Sequence, residues 1–204
     1  MKKHLILIGI FVAILLMFIA AMNYPGGSNI DPSSVGYDWK NNYISNLLSL
    51  KSINGFDNTA RPWAIGGVLF LSVSMGLFFF NFSENIKVKS ASNIIKYAGV
   101  GSSLCGLGAV IPSLHDIMVT FSSILALFAF FYVTVFVVKS KLLGFKIMSI
   151  LFLAIHYFAC YMYFTRTFLD YLPIVQKAIH LIQIVWILGL VYFTRKEDFE
   201  YIKN

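Results

Sequence analysis

The stretch IMVTFSSILALFAFFYVTVFVV, residues 117–138, carries no charged side chain and stops at Lys139-Ser140-Lys141. A helix rising about 1.5 Å per residue needs about 20 such residues to cross a hydrocarbon core about 30 Å thick, and this run meets that length. Five other runs do the same, roughly 5–22, 63–82, 94–113, 147–166 and 172–194. The expected fold is all-α: a polytopic membrane protein, one six-transmembrane-helix bundle spanning residues 1–204.

Composition agrees with that reading. Of 204 residues 58% are hydrophobic and 12% charged, and the mean hydropathy is +0.77, too apolar for a soluble domain of this size. The net charge of +7 sits at the ends of the runs, where it meets lipid headgroups, so no nucleic-acid partner is expected. Cys105 and Cys160 both fall inside apolar runs and imply no disulfide framework.

The basic residues orient the chain. Lys2, Lys3, Lys87, Lys89, Lys96, Lys139, Lys141, Lys146, Arg195, Lys196 and Lys203 fall on one side of the alternating runs, and only Lys40, Lys51, Arg61, Arg166 and Lys177 on the other. The positive-inside rule then places both termini in the cytoplasm of a bacterial-type inner membrane. Lys2-Lys3 ahead of an apolar run ending near Ala20-Ala21 resembles a secretory signal peptide, but the run is long for one and is expected to stay as an anchor.

One connection is long, the outer segment 23–62. Its first half is rich in turn residues, Tyr24-Pro25-Gly26-Gly27-Ser28 through Pro32-Ser33-Ser34. From Asp38, a plausible N-cap, Trp39, Tyr43, Ile44, Leu47, Leu48 and Leu50 recur at helical spacing opposite Lys40, Asn41, Asn42, Ser45, Asn46 and Ser49. This predicts a short amphipathic helix over 38–51, either an interfacial anchor or a lid over a cavity. Small residues at Ser72 and Gly76, and at Gly99, Gly101, Ser102, Gly106 and Gly108, predict close helix packing and a central third span.

Polar groups inside lipid need a partner or a wet cavity, since a central charge costs about 3 kcal/mol or more. Gln176, His180 and Gln183 share one helical stripe with Lys177 at its edge, and Ser149, His156, Cys160, Tyr163 and Thr167 form another. His156 and His180 each fall about 12–15 Å below the outer boundary. With Ser113, His115 and Asp116 at the lip and Arg166 nearby, these residues predict an outward-facing polar pocket. Asp38, Asn42, Ser45 and Asn46 would face it from the loop.

Several chemistries compete for such a pocket. His115, His156 and His180 could hold zinc, with Asp116 orienting a ligand, for a membrane-embedded lipid hydrolase; no H-x3-H or H-E-x-x-H pair supports it. A haem between His156 and His180 lacks room in a tight hairpin, and a transporter would call for a buried acid or inverted repeat that is absent from the sequence. The remaining reading makes the histidines interhelical hydrogen-bonding groups, His156 to Gln183 or Tyr163, with Lys177 and Arg166 snorkelling toward Asp170 and Asp116. Binding of membrane lipids, or of another membrane protein, then has the most support.

The six runs, the long first outer loop ending in Ile44-Ser45-Asn46-Leu47, Gly66-Gly67, His115-Asp116 and Gln176-Lys177 resemble the bacterial domain-of-unknown-function 998 family. That family is similar in layout to the eukaryotic DRAM/Frag/Sfk membrane proteins. Its loop motif more often reads Ile-Ser-Asp-Leu-Gly, and here Asn46 and Leu48 replace the acid and the glycine. The resemblance implies an integral membrane architecture without an established activity, and association of the eukaryotic group with lipid processes favours a lipid ligand.

Overall fold

The computed structural model describes residues 2–202; Lys203, counted above among the inner cations, lies outside them. Six helices carry the chain: α1 (Lys2–Met22), α2 (Arg61–Ser83), α3 (Lys89–Gly108), α4 (His115–Lys139), α5 (Leu143–Thr165) and α6 (Leu172–Phe193). Short 3-10 segments lie at Ile44–Leu48, Pro112–Leu114 and Lys196–Asp198. Among the described residues there is no strand, and only Gly26 with Val35 and Lys51 with Asp57 form isolated β-bridges.

Five helices are long and apolar enough to cross a membrane: α1, α2, α4 (with the 3-10 turn before it), α5 and α6. α3 falls short because Lys89, Ser90, Ser92, Asn93 and Lys96 load its first two turns with polar groups. It is also displaced from the expected 94–113 to 89–108. The apolar residues after Gly108 leave the helix in a turn ahead of Pro112, whose ring disfavours helical backbone at the preceding residue, and Ile111 is extended.

Successive helices pack as antiparallel neighbours, and small residues set the closest approaches. On α1 and α2, a Cβ at Gly9 would lie 2.2 Å from Ser74 Oγ and one at Gly67 2.8 Å from Met17 Cγ. On α2 and α3, a Cβ at Gly99 would fall 2.1 Å from the Phe79 ring. α3 and α4 are clamped by reciprocal bonds: Ser102 Oγ donates to Ser122 O at 2.9 Å and Ser122 Oγ to Ser102 O at 2.9 Å. α3 is therefore tightly held but not central. It packs between α2 and α4, while α6 returns toward α1 and α2 and the order α1 through α6 runs around a ring.

The ring has two unlike ends. At the end carrying both termini, aromatic rings fill the interior. Trp186 is fully buried, stacks on Phe152 at 4.6 Å and donates from Nε1 to Ser149 Oγ at 2.7 Å. Phe130 meets Phe152 edge-on at 4.9 Å and Trp186 at 5.8 Å. The C-terminal segment closes this end, with Phe199 buried against Phe82 and Tyr201 Oη donating to Lys139 O at 3.0 Å. The opposite end is covered by the 23–60 segment and is hollow.

The covering segment is not the helix expected over 38–51; within it only Ile44–Leu48 is helical, as a 3-10 turn. Side chains spaced four apart capture the amides a helix would need. Asp38 Oδ1 accepts from Lys40 N (2.9 Å) and Asn41 N (3.1 Å), Asn42 Oδ1 from Asp38 N (2.8 Å), and Asn46 Oδ1 from Tyr43 N (2.6 Å). The Asp38 bonds are those of an N-cap and start a single turn, closed by Asn42 N donating to Asp38 O at 2.8 Å; the turn stops where Asn46 takes the Tyr43 amide.

Candidate functional site

The hollow end encloses a cavity of about 920 Å³ reached by residues of all six helices and the loop. That is near the top of the range of roughly 300–1,000 Å³ typical of small-molecule sites. Most of its wall is apolar: Met75, Phe79, Ala126, Phe130, Ile179 and Ile184 form the floor and sides. The charged groups gather toward the loop, so the pocket read as polar from the sequence is a mostly apolar chamber, dotted with serines and His156, His180 and Gln183, under a charged mouth.

Of the residues singled out from the sequence, Ser45, His115, Asp116, His156, Arg166, Lys177, His180 and Gln183 line the cavity. Asp38, Asn42, Asn46 and Ser113 do not. Ser113 is exposed on the turn before α4. The other three build the roof. Asn42 is fully buried and donates from Nδ2 to Gly27 O at 2.9 Å, tying the two halves of the loop together. Asp38 holds the turn over Lys40 and Asn41, and the Asn41 amide beside it keeps its carboxyl below the usual range. Burial pushes the Tyr37 and Tyr43 phenols up, which keeps both neutral.

The roof is stitched to the start of α6. Ile44 N donates to Gln176 Oε1 at 2.9 Å, Tyr43 Oη to Leu169 O at 3.3 Å, and Lys177 Nζ to Asn42 O and to Pro173 O, the latter at 3.0 Å. Two short motifs more than 120 residues apart, Ile44-Ser45-Asn46-Leu47 and Gln176-Lys177, thus meet directly. The turn that delivers α6 holds Arg166 (φ 58°) and Phe168 (φ 55°) in left-handed conformation, a cost of order 1–3 kcal/mol each for non-glycine residues. It sets the Arg166 guanidinium over the Tyr163 ring at 5.3 Å.

The three histidines are not gathered. His115 Nδ1 is bonded to Ala109 O at 2.7 Å. His156 lies against Phe130 and Phe152, at 5.2 and 5.7 Å between ring centres, and both its nitrogens are buried without a hydrogen-bond partner. His180 lines the cavity from α6. Among the described residues no three His, Cys, Asp or Glu side chains come together as metal ligands, so His115, His156 and His180 do not form a zinc centre. Gln183 is therefore not the partner of His156; its Nε2 points to Met75 Sδ at 3.5 Å.

One contributor was not singled out in the sequence. Asn58, buried ahead of α2, donates from Nδ2 to Asn46 O (3.0 Å), Leu47 O (3.3 Å) and Ser49 O (2.9 Å), collecting the carbonyls at the end of the 3-10 turn. An asparagine three residues ahead of Arg61, where α2 starts, was the available signal. Trp39, on the apolar side of the segment expected to be an anchor or a lid, stacks on Phe18 of α1 at 6.4 Å and meets Tyr37 edge-on at 5.1 Å, closing the roof's flank. No protein-family model, curated protein or solved structure matches the chain.

Proposed function

We propose that this chain is a six-span protein of a bacterial cytoplasmic membrane, termini inside, that binds an amphiphile in the cavity beneath its outer loop. One observation carries the reading: a mostly apolar chamber of about 920 Å³ whose charged groups, Lys177, Arg166 and Asp116, sit at one end with Gln176 and His115, while the polar groups deeper in are neutral serines, Gln183 and the His156 and His180 rings. An apolar tail in the chamber and a polar head at the mouth would satisfy both parts without burying an unpaired charge. The short motifs shared with the domain-of-unknown-function 998 layout belong to this mouth, and we extend the proposal to membership of that family.

The six-span part rests on chain direction. α3 packs lengthwise between α2 and α4, and its 20 residues match the length of about 20 a span needs. Its polar first turns would then lie at the cytoplasmic surface with Lys87 and Lys89. A reporter fused after Ser140 is expected to read as cytoplasmic, and an exterior signal there would overturn the orientation.

Native mass spectrometry of the full chain, extracted in mild detergent, tests the binding itself. The expected spectrum shows one retained lipid per chain, reduced at least ten-fold when Ala126→Phe and Ala159→Phe fill the chamber. Protein that carries no lipid, or carries it equally well in the filled variant, rules the reading out.

A further inference from the structure

The cavity also reaches the side of the bundle. Ile14 and Phe18 on α1 and Leu181 on α6 line it and are 48%, 52% and 64% exposed. So large an exposed share places all three at the edge of an opening and not packed within a closed wall. These three flank the same seam, between α1 and α6, which is the most sparsely packed of the six in the ring.

The seam is closed at its other end. There Tyr192 Oη and His4 Nδ1 are hydrogen-bonded at 3.1 Å, Lys3 Nζ lies 5.9 Å from the Tyr192 ring centre, and Ile6 and Ile10 are buried in the aromatic core. Among the described residues the loop-end half has no equivalent bond between the helices, and the small buried residues Ala13 and Ala21 of α1 face the cavity there. Trp39 stacked on Phe18 covers the top of this opening. We propose that it is a lateral portal through which a membrane lipid with an anionic headgroup enters from the outer leaflet, and this rests on the amphiphile-binding reading above.

The headgroup assignment follows from charge at the portal. Lys177 stands on α6 one turn from Leu181, and among the described residues no carboxylate lies within ion-pair distance of it; backbone carbonyls of Asn42 and Pro173 are its partners. Asp116, the acid that lines the cavity, is on α4, across the ring. Asp38, in the roof, is the acid whose charge acts on Lys177, and its oxygens are taken by Lys40 N, Asn41 N and Asn41 Nδ2. An anion arriving between α1 and α6 therefore meets an ammonium that no carboxylate pairs, and a bond between two ionised groups is stronger than the ammonium–carbonyl bonds it would replace. An acyl chain slides in laterally without leaving hydrocarbon, so it avoids exposure to water on entry.

The test uses the full chain with Cys105→Ala and Cys160→Ala, and with Ile14→Cys and Leu181→Cys bridged by a short bifunctional thiol reagent. Delipidated protein is mixed with vesicles of phosphatidylglycerol and phosphatidylcholine in equal parts, and captured lipid is followed by native mass spectrometry. Bridging is expected to slow capture at least ten-fold, while lipid loaded before bridging stays bound. Ile14→Trp, at an exposed site, should slow capture several-fold and serves if the double-cysteine chain does not fold. Phosphatidylglycerol should be taken in preference, and Lys177→Gln should abolish that preference.

Equal capture by bridged and open protein, with lipid still retained, overturns the portal and leaves the binding reading standing. Phosphatidylcholine taken as readily as phosphatidylglycerol overturns the headgroup assignment. A chain that retains neither lipid in any form brings down the portal and the binding reading together.

Discussion

At the end of the bundle that carries the termini, Phe78, Phe82, Phe152 and Trp186 interdigitate around one indole, while at the other end the same six helices stand around a cavity of about 920 Å³. What differs is volume and support: bulky rings meet at the closed end, whereas Ala13, Ala126, Ala159, Ser122, Ser123 and Gly106 face each other at the open one. The open end is held by a roof of hydrogen bonds, not by filling. A bundle built this way separates the region that supplies stability from the region that can receive a guest, and the contrast can be tested at each end.

The largest effect is expected at the closed end. Trp186→Ala removes a ring that touches Phe78, Phe130 and Phe152, and large-to-small changes of this kind cost about 3–5 kcal/mol. Thermal unfolding in detergent measures it. A variant as stable as the parent would mean that the aromatic cluster is not what holds the bundle.

The roof comes next. Asn42→Ala deletes the bonds to Asp38 N and Gly27 O, with an expected loss of about 1–3 kcal/mol. The loss should be local, appearing as roughly ten-fold or faster exchange of the Asp38 and Ile44 amides, since 1.4 kcal/mol corresponds to a factor of ten. Exchange that speeds up equally in α2 and α4 would show the two ends to be one cooperative unit.

The smallest effect is expected at His156, on the boundary between the ends. Neither ring nitrogen has a partner there, so His156→Phe removes an unsatisfied polar group from a pocket made by Phe130 and Phe152. Stability should stay within about 1 kcal/mol of the parent or rise. A drop of several kcal/mol would place His156 among the supporting residues of the closed end.

Much of this was legible in the residues. The apolar run quoted at the outset, 117–138, lies within His115–Lys139, and the runs 5–22, 63–82, 147–166 and 172–194 lie within four residues of α1, α2, α5 and α6 at every boundary. α3 was misplaced by five residues because hydropathy counts Ala109, Val110 and Ile111 as membrane-like, whereas the backbone responds to Pro112. The helix over 38–51 was misread because its apolar spacing was sound, but Asp38, Asn42 and Asn46 recur at the same period and bind amides instead. The zinc set weighed as a possibility, His115, His156 and His180, is not assembled, because equal depth on two neighbouring helices does not fix the direction in which each imidazole points.

The sequence by itself determined that the chain folds as long apolar helices and roughly where they start and stop, because hydropathy and the 3.6-residue period act over one or two turns. Only the tertiary structure decided that Ile44 bonds Gln176, that His156 is walled in by phenylalanines and that α1 and α6 part at one end. Those facts depend on how side-chain volumes from separate helices add up in one space, and that sum is made when the helices meet.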